Sequence, residues 1–324
     1  MVCVVGEALI DLVSQSPAAG PGSIGYLALP GGSPYNVAIG LARLGQPCQL
    51  VARLSCDAFG RQLRAHAAAN GVDLSLAVNA AEAATLAVVS LDANRNASYD
   101  FYRTGTADWQ WTAAELGRIP ADAGWVHTGS LASWTPPGAE LIEARLAELT
   151  GSVLSFDPNI RPALLADQPA TIRRIERLVA LSNVVKASAE DLAWLYPDAT
   201  IDQVLHRWQA LGPGLVVVTD GGRGVHAIPA DGAGFTVAAK PVAVVDTVGA
   251  GDSFMAGLIN ALARDAVMTA ATIDADRVRP AVEEAMLVAA LTCTRAGANP
   301  PTAAELVAAR ALAGEKPASG LAPR

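Results

Sequence analysis

The sequence predicts a doubly wound α/β fold, in which helices cover both faces of a mainly parallel sheet. The chain has 324 residues, of which 52% are hydrophobic, and this is enough to bury one large core. Short β-type runs alternate with helical patterns along most of the chain, and such alternation is typical of βαβ units. No repeat or low-complexity linker interrupts it, so residues 1–313 are expected to form a single domain.

The alternation can be followed in chain order. The β-type run VCVVG at residues 2–6 precedes the helical pattern PYNVAIGLARLG at 34–45, and CQLVARL at 48–54 precedes AFGRQLRAHAAANG at 58–71. Further along, VLSFDPN at 153–159 precedes ATIRRIERLVALS at 170–182, and LVVVTDGG follows at 215–222. These pairs predict a mainly parallel sheet with helices on both sides.

Residues 84–105 depart from this alternation of strand and helix patterns. The runs TLAVVSLD (85–92) and ASYDFYR (97–103) flank the turn-forming sequence ANRN (93–96), which predicts an antiparallel hairpin. Together with residues from about 12 to 30, this hairpin is predicted to form a small β-strand lid or an oligomer contact; a plain extension of the main sheet is the alternative. The tail, residues 314–324, has turn formers and no apolar periodicity, so it is expected to be disordered.

Composition and charge disfavour several classes of partner. A net charge of −8 and a pI near 5.0 disfavour nucleic acid, and no apolar run reaches the roughly 18–20 residues of a membrane span. The start of the chain lacks a basic leading segment, which argues against a signal peptide and favours a cytoplasmic protein. The four cysteines show no CxxC pair and no neighbouring His cluster, so neither a disulfide framework nor a zinc site is expected. A small molecule is therefore the expected partner.

The sequence DTVGAGDSF, residues 246–254, carries the strongest chemical signal. It follows a β-type run, residues 242–245, and leads into FMAGLINALA, whose apolar spacing is helical, so a strand-to-helix turn is predicted. The amides of such a turn form an anion site, and Gly249 and Gly251 leave its backbone accessible. A carboxylate beside a phosphate can accept a proton from an attacking hydroxyl, so Asp252 suggests phosphoryl transfer to an alcohol. In the alternative interpretation, Asp252 complements the helix dipole and the glycines only allow a tight turn.

Two long motifs carry a resemblance to a known family. The sequence DTVGAGDSFMAGL (246–258) resembles the C-terminal signature of the ribokinase family of carbohydrate kinases, also called the PfkB family. The sequence GGSPYNVAIGLARLG (31–45) resembles its N-terminal signature, and the likeness extends from GEALID near the start to GANPP near the end. Two more segments, FYRTGTADW (101–109) and SFDPNIRP (155–162), resemble the fructokinase branch. The resemblance implies a ribokinase-like fold and an ATP-dependent sugar kinase.

The resemblance also implies roles for residues around the reacting groups. It makes Asp252 the general base, and the amides of Gly249, Ala250 and Gly251 would stabilise the transferred phosphoryl group. It places sugar contacts at Asp11, Gly31, Gly32 and Asn36. The last three of these residues lie at the start of the helix predicted at 34–45, where Ser33 is expected to be the cap and Pro34 suits the first turn.

Two arginines are assigned on the same grounds. Arg103, at the end of the predicted hairpin, would bind the substrate, and Arg161 would bind the substrate or the γ-phosphate. The structural alternatives are a solvated Asp11, an Asn36 that only tightens the helix start, and a surface Arg103. Asp157 is interpreted as a structural cap and left outside the catalytic set.

For the nucleotide and the ions, the resemblance implies a third group of residues. It places ATP beside Lys186, Thr219, Gly221, Gly224 and Asn299. The family's magnesium motif is commonly Asn-x-x-Glu, whereas this chain has Ser188-Ala189-Glu190-Asp191, so Glu190 or Asp191 would hold Mg²⁺ through water. The region of Asp246, Val248 and residues 296–299 matches a site for a monovalent cation such as K⁺ in some members.

The predicted protein is thus an ATP- and Mg²⁺-dependent kinase that phosphorylates a primary hydroxyl of a small sugar, with fructose favoured. The alternative acceptors within the same fold are 2-keto-3-deoxygluconate, ribose and a nucleoside. A sugar-binding regulatory protein without turnover is an alternative of another class, against which Asp252 argues. A homodimer through the lid is expected, and His127 is interpreted as structural.

Overall fold

A large, mainly parallel sheet lies at the centre of the molecule. The computed structural model describes residues 1–15, 24–91, 97–269, 273–312 and 314. Within these residues the strands are β1 (Val2–Val5), β2 (Leu9–Gln15), β3 (Gly25–Gly31), β4 (Cys48–Val51), β5 (Arg53–Ser55), β6 (Val78–Ala80), β7 (Leu86–Leu91), β8 (Ala97–Tyr102), β9 (Trp125–Gly129), β10 (Val153–Asp157), β11 (Val184–Ser188), β12 (Leu215–Thr219), β13 (Val225–Pro229) and β14 (Phe235–Val237).

The helices occupy the segments between these strands and the end of the described chain. They are α1 (Ser33–Arg43), α2 (Ala58–Ala69), α3 (Ala113–Leu116), α4 (Gly138–Glu148), α5 (Gln168–Leu181), α6 (Ala189–Leu195), α7 (Ile201–Gln209), α8 (Ala250–Arg264), α9 (Ala275–Cys293) and α10 (Ala303–Leu312). Among the helices of the described ranges, none combines the length and the apolar character that crossing a membrane would require.

The large sheet has the strand order β14-β13-β12-β11-β10-β9-β1-β4. Neighbouring strands pair in parallel from one edge of this order, β4, through β1, β9, β10 and β11 to β12. At the other edge, β13 is antiparallel to β12 and β14 is antiparallel to β13. Both faces are buried, since Val2 and Val4 of β1 belong to one hydrophobic cluster and Cys3 and Val5 belong to another. Burial on both faces explains why these strands are continuous apolar runs in the sequence. The predicted doubly wound α/β fold is confirmed.

A smaller sheet has the strand order β3-β2-β7-β8. Strand β2 is antiparallel to β3 and parallel to β7, and β7 is antiparallel to β8. Its strands come from the two segments, about 12–30 and 84–105, in which the sequence predicts a small additional set of strands. The predicted turn at 93–96 and residues 315–324 of the predicted tail lie outside the described residues.

The strand predicted at residues 242–245 is wrong. This segment belongs to no sheet, and Val244 and Val245 are 61% and 65% exposed. The amides of Val245 and Asp246 donate to the carbonyl of Cys293 at the end of α9, at 2.8 and 3.2 Å. Branched apolar residues favour an extended backbone, but a strand also needs a neighbouring edge, and here the backbone pairs with a helix end instead.

Candidate active site

Helix α8 begins at the turn that the sequence marks with paired glycines. Gly249 caps the helix with φ of +74°, in the left-handed region that favours glycine. A Cβ at position 249 would also lie 2.5 Å from the Cβ of Ala298, so the backbone there approaches the loop after α9 too closely for any side chain. Both constraints require glycine, and the expected tight turn is present.

The backbone amides of this turn differ in how far they are free to bind an anion. The first hydrogen bond of the helix runs from the amide of Ser253 to the carbonyl of Gly249, at 2.8 Å. The amides before Ser253 therefore have no partner within the helix itself. The amide of Ala250 nevertheless donates to the carbonyl of Thr247, at 3.2 Å. Of the three predicted amides, those of Gly249 and Gly251 are therefore the better anion donors.

The carboxylate of Asp252 lies in the first turn of α8 and is almost completely buried. Its Oδ1 accepts a hydrogen bond from the Ser33 hydroxyl at 2.7 Å, and its Oδ2 accepts one from the Asn36 side-chain amide at 2.9 Å. The prediction that Ser33 caps α1 is wrong, because the cap residue is Gly32 and the Ser33 hydroxyl bonds Asp252 instead. The first turns of α1 and α8 are thereby joined through one carboxylate.

Asp11 and the paired glycines before α1 lie close together. Asp11 is in β2, and a Cβ on Gly31 at the end of β3 would lie 2.2 Å from its Oδ2, so only glycine fits beside this carboxylate. Gly32 has φ of +105°, and a Cβ there would lie 2.7 Å from the carbonyl oxygen of Glu7. Burial raises the pKa of Asp11 to about 6, while the positive charge of Arg161 lowers it and the negative charge of Asp252 raises it further. The charges of these three side chains therefore act on one site.

The two predicted arginines differ in how they are held. The Arg161 guanidinium is exposed, and its Nη1 donates to the side-chain oxygen of Asn159 at 2.7 Å and to the carbonyl of Ile160 at 3.0 Å. Asn159 has φ of +39°, which brings its side chain back towards this arginine. Arg103 is half-buried and follows directly after β8.

Lys186 lies next to the turn at which α8 begins. Its Nζ would be 3.0 Å from a Cβ on Gly251, and it donates to Oδ2 of Asp157 at 2.8 Å. Burial by itself lowers the pKa of Lys186, but the carboxylates of Asp157, Asp191 and Asp252 outweigh it, so the pKa is raised. Burial raises the pKa of Asp157 to about 6, and the Lys186 ammonium limits that rise.

Asp157 is a residue whose part in the site the sequence interpretation missed. It ends β10, whereas Lys186 lies in β11, and the pairing of Phe156 with Val185 places the two side chains next to each other. A lysine in a strand that is otherwise apolar is the signal that could have revealed the partner, because a buried ammonium requires a carboxylate.

Apart from Lys186, the predicted nucleotide residues lie at the end of β12, in the turn between β12 and β13, and after α9. Thr219 ends β12, and Gly221 and Gly224 both have positive φ, of +50° and +113°. A Cβ on Gly224 would lie 2.1 Å from the carbonyl oxygen of Val237, so this glycine allows the loop to pass β14. Asn299 is half-buried in the loop whose Ala298 contacts Gly249.

The predicted ion ligands differ in their exposure and in their hydrogen bonds to the backbone. Both oxygens of Asp191 accept backbone hydrogen bonds, from Ile160 at 2.7 Å and from Ser188 at 2.9 Å, so this residue closes a capping box for α6. Glu190, beside it, is exposed. Both oxygens of Asp246 are also occupied, by the amides of Val248 at 3.0 Å and Gly297 at 2.8 Å. In the part of the chain that the structure describes, no three acidic, His or Cys side chains cluster as a metal site.

Fold and site together define a kinase that transfers a phosphoryl group to the hydroxyl of a sugar. The chain belongs to the pfkB family of carbohydrate kinases, whose family model matches residues 1–305. The resemblance inferred from the two signatures is thereby confirmed.

Several fructokinases are similar to this chain. A fructokinase from Rhizobium leguminosarum bv. trifolii is 37% identical over 270 residues, which are 83% of this chain and 82% of that protein. The crystal structure of fructokinase with bound ATP from Xylella fastidiosa has a TM-score of 0.85 at 29% identity and covers 97% of this chain and 99% of that one. Fructokinase from Vibrio cholerae O395 in its fructose, ADP and calcium ion bound form has a TM-score of 0.81 at 30% identity, covering 95% and 97%.

Proposed function

We propose that this protein is a fructokinase that uses ATP and Mg²⁺, with residues 1–313 acting as one kinase domain. The observation that carries the proposal is the buried carboxylate of Asp252 at the start of α8, held by Ser33 and Asn36. The likeness to fructokinases, one with bound ATP and one with fructose and ADP, supports the choice of substrates.

The proposed mechanism uses Asp252 as the base for the sugar hydroxyl. Each carboxylate oxygen has two lone pairs, so the bonds from Ser33 and Asn36 leave room for a third donor, the attacking hydroxyl. Asp11 and Asn36 would bind other hydroxyls of the sugar, as their acceptor and donor groups suit a polyol. Proton transfer to Asp252 then increases the negative charge on the attacking oxygen as the phosphoryl group arrives.

The developing charge on the phosphoryl group would be stabilised from the side of α8 and β11. The amides of Gly249 and Gly251 are at a helix start, where the dipole favours anions, and the Lys186 ammonium lies against Gly251. Arg161 is exposed, and its long side chain would reach either the substrate or the γ-phosphate. The nucleotide would extend from there along Thr219, Gly221, Gly224 and Asn299.

For Mg²⁺, we propose one of the two carboxylates that the resemblance implied. Mg²⁺ bound with the nucleotide would neutralise charge on the phosphates. Glu190 fits the task of holding it through water, because it is exposed and Mg²⁺ keeps several of its waters. Asp191 fits this task less well, since it is buried and each of its oxygens already accepts a backbone amide. Each oxygen of Asp246 keeps a lone pair beside its backbone bond, so a site for K⁺ there would combine this carboxylate with backbone carbonyl oxygens.

A panel of acceptors tests the proposed function. With ATP and Mg²⁺, we expect ADP release with fructose at a kcat/KM at least about tenfold above that for ribose, 2-keto-3-deoxygluconate, glucose or adenosine. Arg103→Ala should raise the KM for neutral fructose only about threefold, since no carboxylate of the substrate depends on it. Arg118→Ala is the control, at an exposed arginine that follows α3 in the chain and donates to the carbonyl of Ser75, and it should leave the rates unchanged.

The panel also separates the alternatives. Preference for 2-keto-3-deoxygluconate, abolished by Arg103→Ala, would replace fructose by a sugar acid. Sugar binding without ADP release for any acceptor would favour the regulatory protein without turnover and reject the kinase.

We also propose a homodimer formed through the small sheet, which acts as the lid of the site. Tyr26, Leu27 and Tyr102 are large apolar side chains on this sheet, with 44%, 48% and 64% of their surface exposed. They lie on β3 and β8, the two edge strands of the sheet, and exposed apolar groups on such edges favour a partner surface. The molar mass measured by light scattering should be twice the 33.2 kDa of one chain, and Leu27→Asp together with Tyr102→Asp should halve it; a monomeric wild-type protein would reject the dimer.

A further inference from the structure

The chain crosses several times between the large sheet and the small sheet, and several of these connecting segments meet at one buried point. Thr85 precedes β7, Thr106 follows β8, and Asp108 lies two residues further on. We name these three residues the hinge cluster. They are buried, with exposed fractions of 0%, 7% and 1%, although each carries a polar side chain that must find a partner inside the protein.

The hinge cluster joins three chain segments through one line of contacts. Oδ1 of Asp108 accepts the amide of Ala8 at 2.9 Å, just before β2. Oδ2 of Asp108 lies 2.5 Å from the hydroxyl of Thr85, which lies 2.6 Å from the hydroxyl of Thr106. The Thr106 hydroxyl donates to the carbonyl of Arg103 at 3.0 Å. These contacts therefore connect the start of β2, the start of β7 and the segment that follows β8.

Counting hydrogens shows what this line of contacts requires. It contains three contacts, from Asp108 to Thr85, from Thr85 to Thr106 and from Thr106 to Arg103, but the two hydroxyls supply only two hydrogens. All three contacts become hydrogen bonds when the Asp108 carboxyl is neutral and donates to Thr85, Thr85 donates to Thr106, and Thr106 donates to the Arg103 carbonyl.

The surroundings of Asp108 shift its ionisation equilibrium towards the neutral form. Burial raises the pKa of Asp108 to about 6, despite the hydrogen bonds from Thr85 and Ala8. Glu7 is also completely buried, and burial raises its pKa to about 7. The negative charge of Asp108 also raises the pKa of Glu7, so the two carboxyls oppose each other's ionisation. Arg53 donates to the carbonyl of Ala107, beside Asp108, and to the carboxylates of Glu82 and Glu115.

We propose that the hinge cluster is a positioning device for the sugar site, with Asp108 at its centre, and this rests on the proposed roles of Asp11 and Arg103. Arg103 accepts the last bond of the line through its own carbonyl. Asp11 lies three residues beyond the Ala8 amide and pairs with Ala87, just beyond Thr85. Both sugar-binding side chains are therefore held through backbone bonded to the cluster.

The experiment compares three variants whose hydrogen-bonding capacity differs in a known way. Asp108→Ala and Thr85→Val each break the line, whereas Asp108→Asn keeps it, because the Asn amide donates to Thr85 as a neutral carboxyl would and its oxygen accepts from Ala8. Thr171→Val, at a buried threonine of α5 whose hydroxyl bonds the carbonyl of Asp167, is the matched control.

We expect Asp108→Ala and Thr85→Val to raise the KM for fructose about tenfold and to change kcat by less than about threefold, since each removes two buried hydrogen-bonding contacts of the cluster and no group at the reacting atoms. Asp108→Asn and Thr171→Val should leave both constants near their wild-type values. Hydrogen–deuterium exchange should accelerate for the amides of β2, β7 and β8 in the two disruptive variants and in neither of the others.

Two results would overturn the proposal. The first is a wild-type KM and unchanged exchange in both Asp108→Ala and Thr85→Val. The second is an Asp108→Asn variant as impaired as Asp108→Ala, which would mean that the cluster requires the carboxylate charge. Should Asp108→Ala fail to fold, Thr85→Val and Asp108→Asn still decide. Should wild-type protein not phosphorylate fructose, the proposed function fails, while the exchange rates still test the cluster.

Discussion

Replacing Asp252 by Asn is expected to lower kcat for fructose phosphorylation by a factor of about 10³, because a positioned general base contributes about 10² to 10⁴. Asn has nearly the shape of Asp and still accepts a hydrogen bond from Ser33 or Asn36, so α1 and α8 should remain joined. It cannot take a proton at neutral pH. ADP release measures kcat, and calorimetric titration with fructose measures binding, which should change by less than about threefold.

Asp265→Asn is the matched control for this variant. Asp265 lies at the other end of the same helix, is exposed, and pairs with Arg264 at 2.9 Å. The control should keep wild-type turnover and fructose binding. If Asp252→Asn loses fructose binding and thermal stability together with turnover, Asp252 is a structural group that completes the helix start, and the base must be sought elsewhere.

The fold could be predicted because its signals are local. The strands of the large sheet are buried on both faces, so each appears in the sequence as a short continuous apolar run followed by a helical pattern. The exception, residues 242–245, has the same composition as a strand. Its backbone pairs with the carbonyl of Cys293, a choice that depends on where α9 ends and not on the segment itself.

The candidate site could be predicted only where its chemistry lies within one motif. Gly249 and Asp252 belong to a single short stretch, and its spacing already suggests an anion site with a carboxylate. Ser33 was interpreted as a cap because its true partner, Asp252, is 219 positions away in the sequence. Local rules offer such a residue only local partners.

Asp191, one of the two predicted metal ligands, is the opposite case, in which the local signal names the partner. The spacing of Ser188 and Asp191 is that of a capping box, a local signal that was present in the sequence. The resemblance to the family's motif led instead to the expectation of a metal ligand there. In the structure Asp191 is buried and each of its oxygens accepts a backbone amide, whereas Glu190 beside it is exposed.

Replacing Lys186 by Met is expected to lower kcat/KM for ATP by about 10², as the loss of one preorganised charge at the phosphoryl group commonly does. It should also lower the free energy of unfolding by about 3 kcal/mol, because Asp157 is left buried without its cation. Chemical denaturation measures the second effect. Arg177→Met removes the cation of the half-exposed pair with Glu143 and serves as the control, with an expected loss below about 1 kcal/mol.

Adding Asp157→Asn to Lys186→Met separates the two effects. The double variant no longer buries an unpaired carboxylate, so it should regain most of the stability, but it still lacks the ammonium beside Gly251 and should remain as slow as the single variant. Recovery of activity together with stability would show that Lys186 acts only through folding.

The pH dependence of Lys186→Met gives an independent check on the same pair. Burial already raises the pKa of Asp157 to about 6 from an ordinary value of 3.8, and without Lys186 nothing opposes that rise. Between these values the folded variant therefore binds a proton that the unfolded chain has released. The contribution of Asp157 to the free energy of unfolding is then greatest below about pH 4 and falls by up to about 1.4 kcal/mol per pH unit until the folded pKa is passed. The stability deficit of the single variant should thus be larger at pH 8 than at pH 5, and Asp157→Asn should abolish this difference; a deficit that is the same at both pH values would mean that Asp157 is not the group left unpaired.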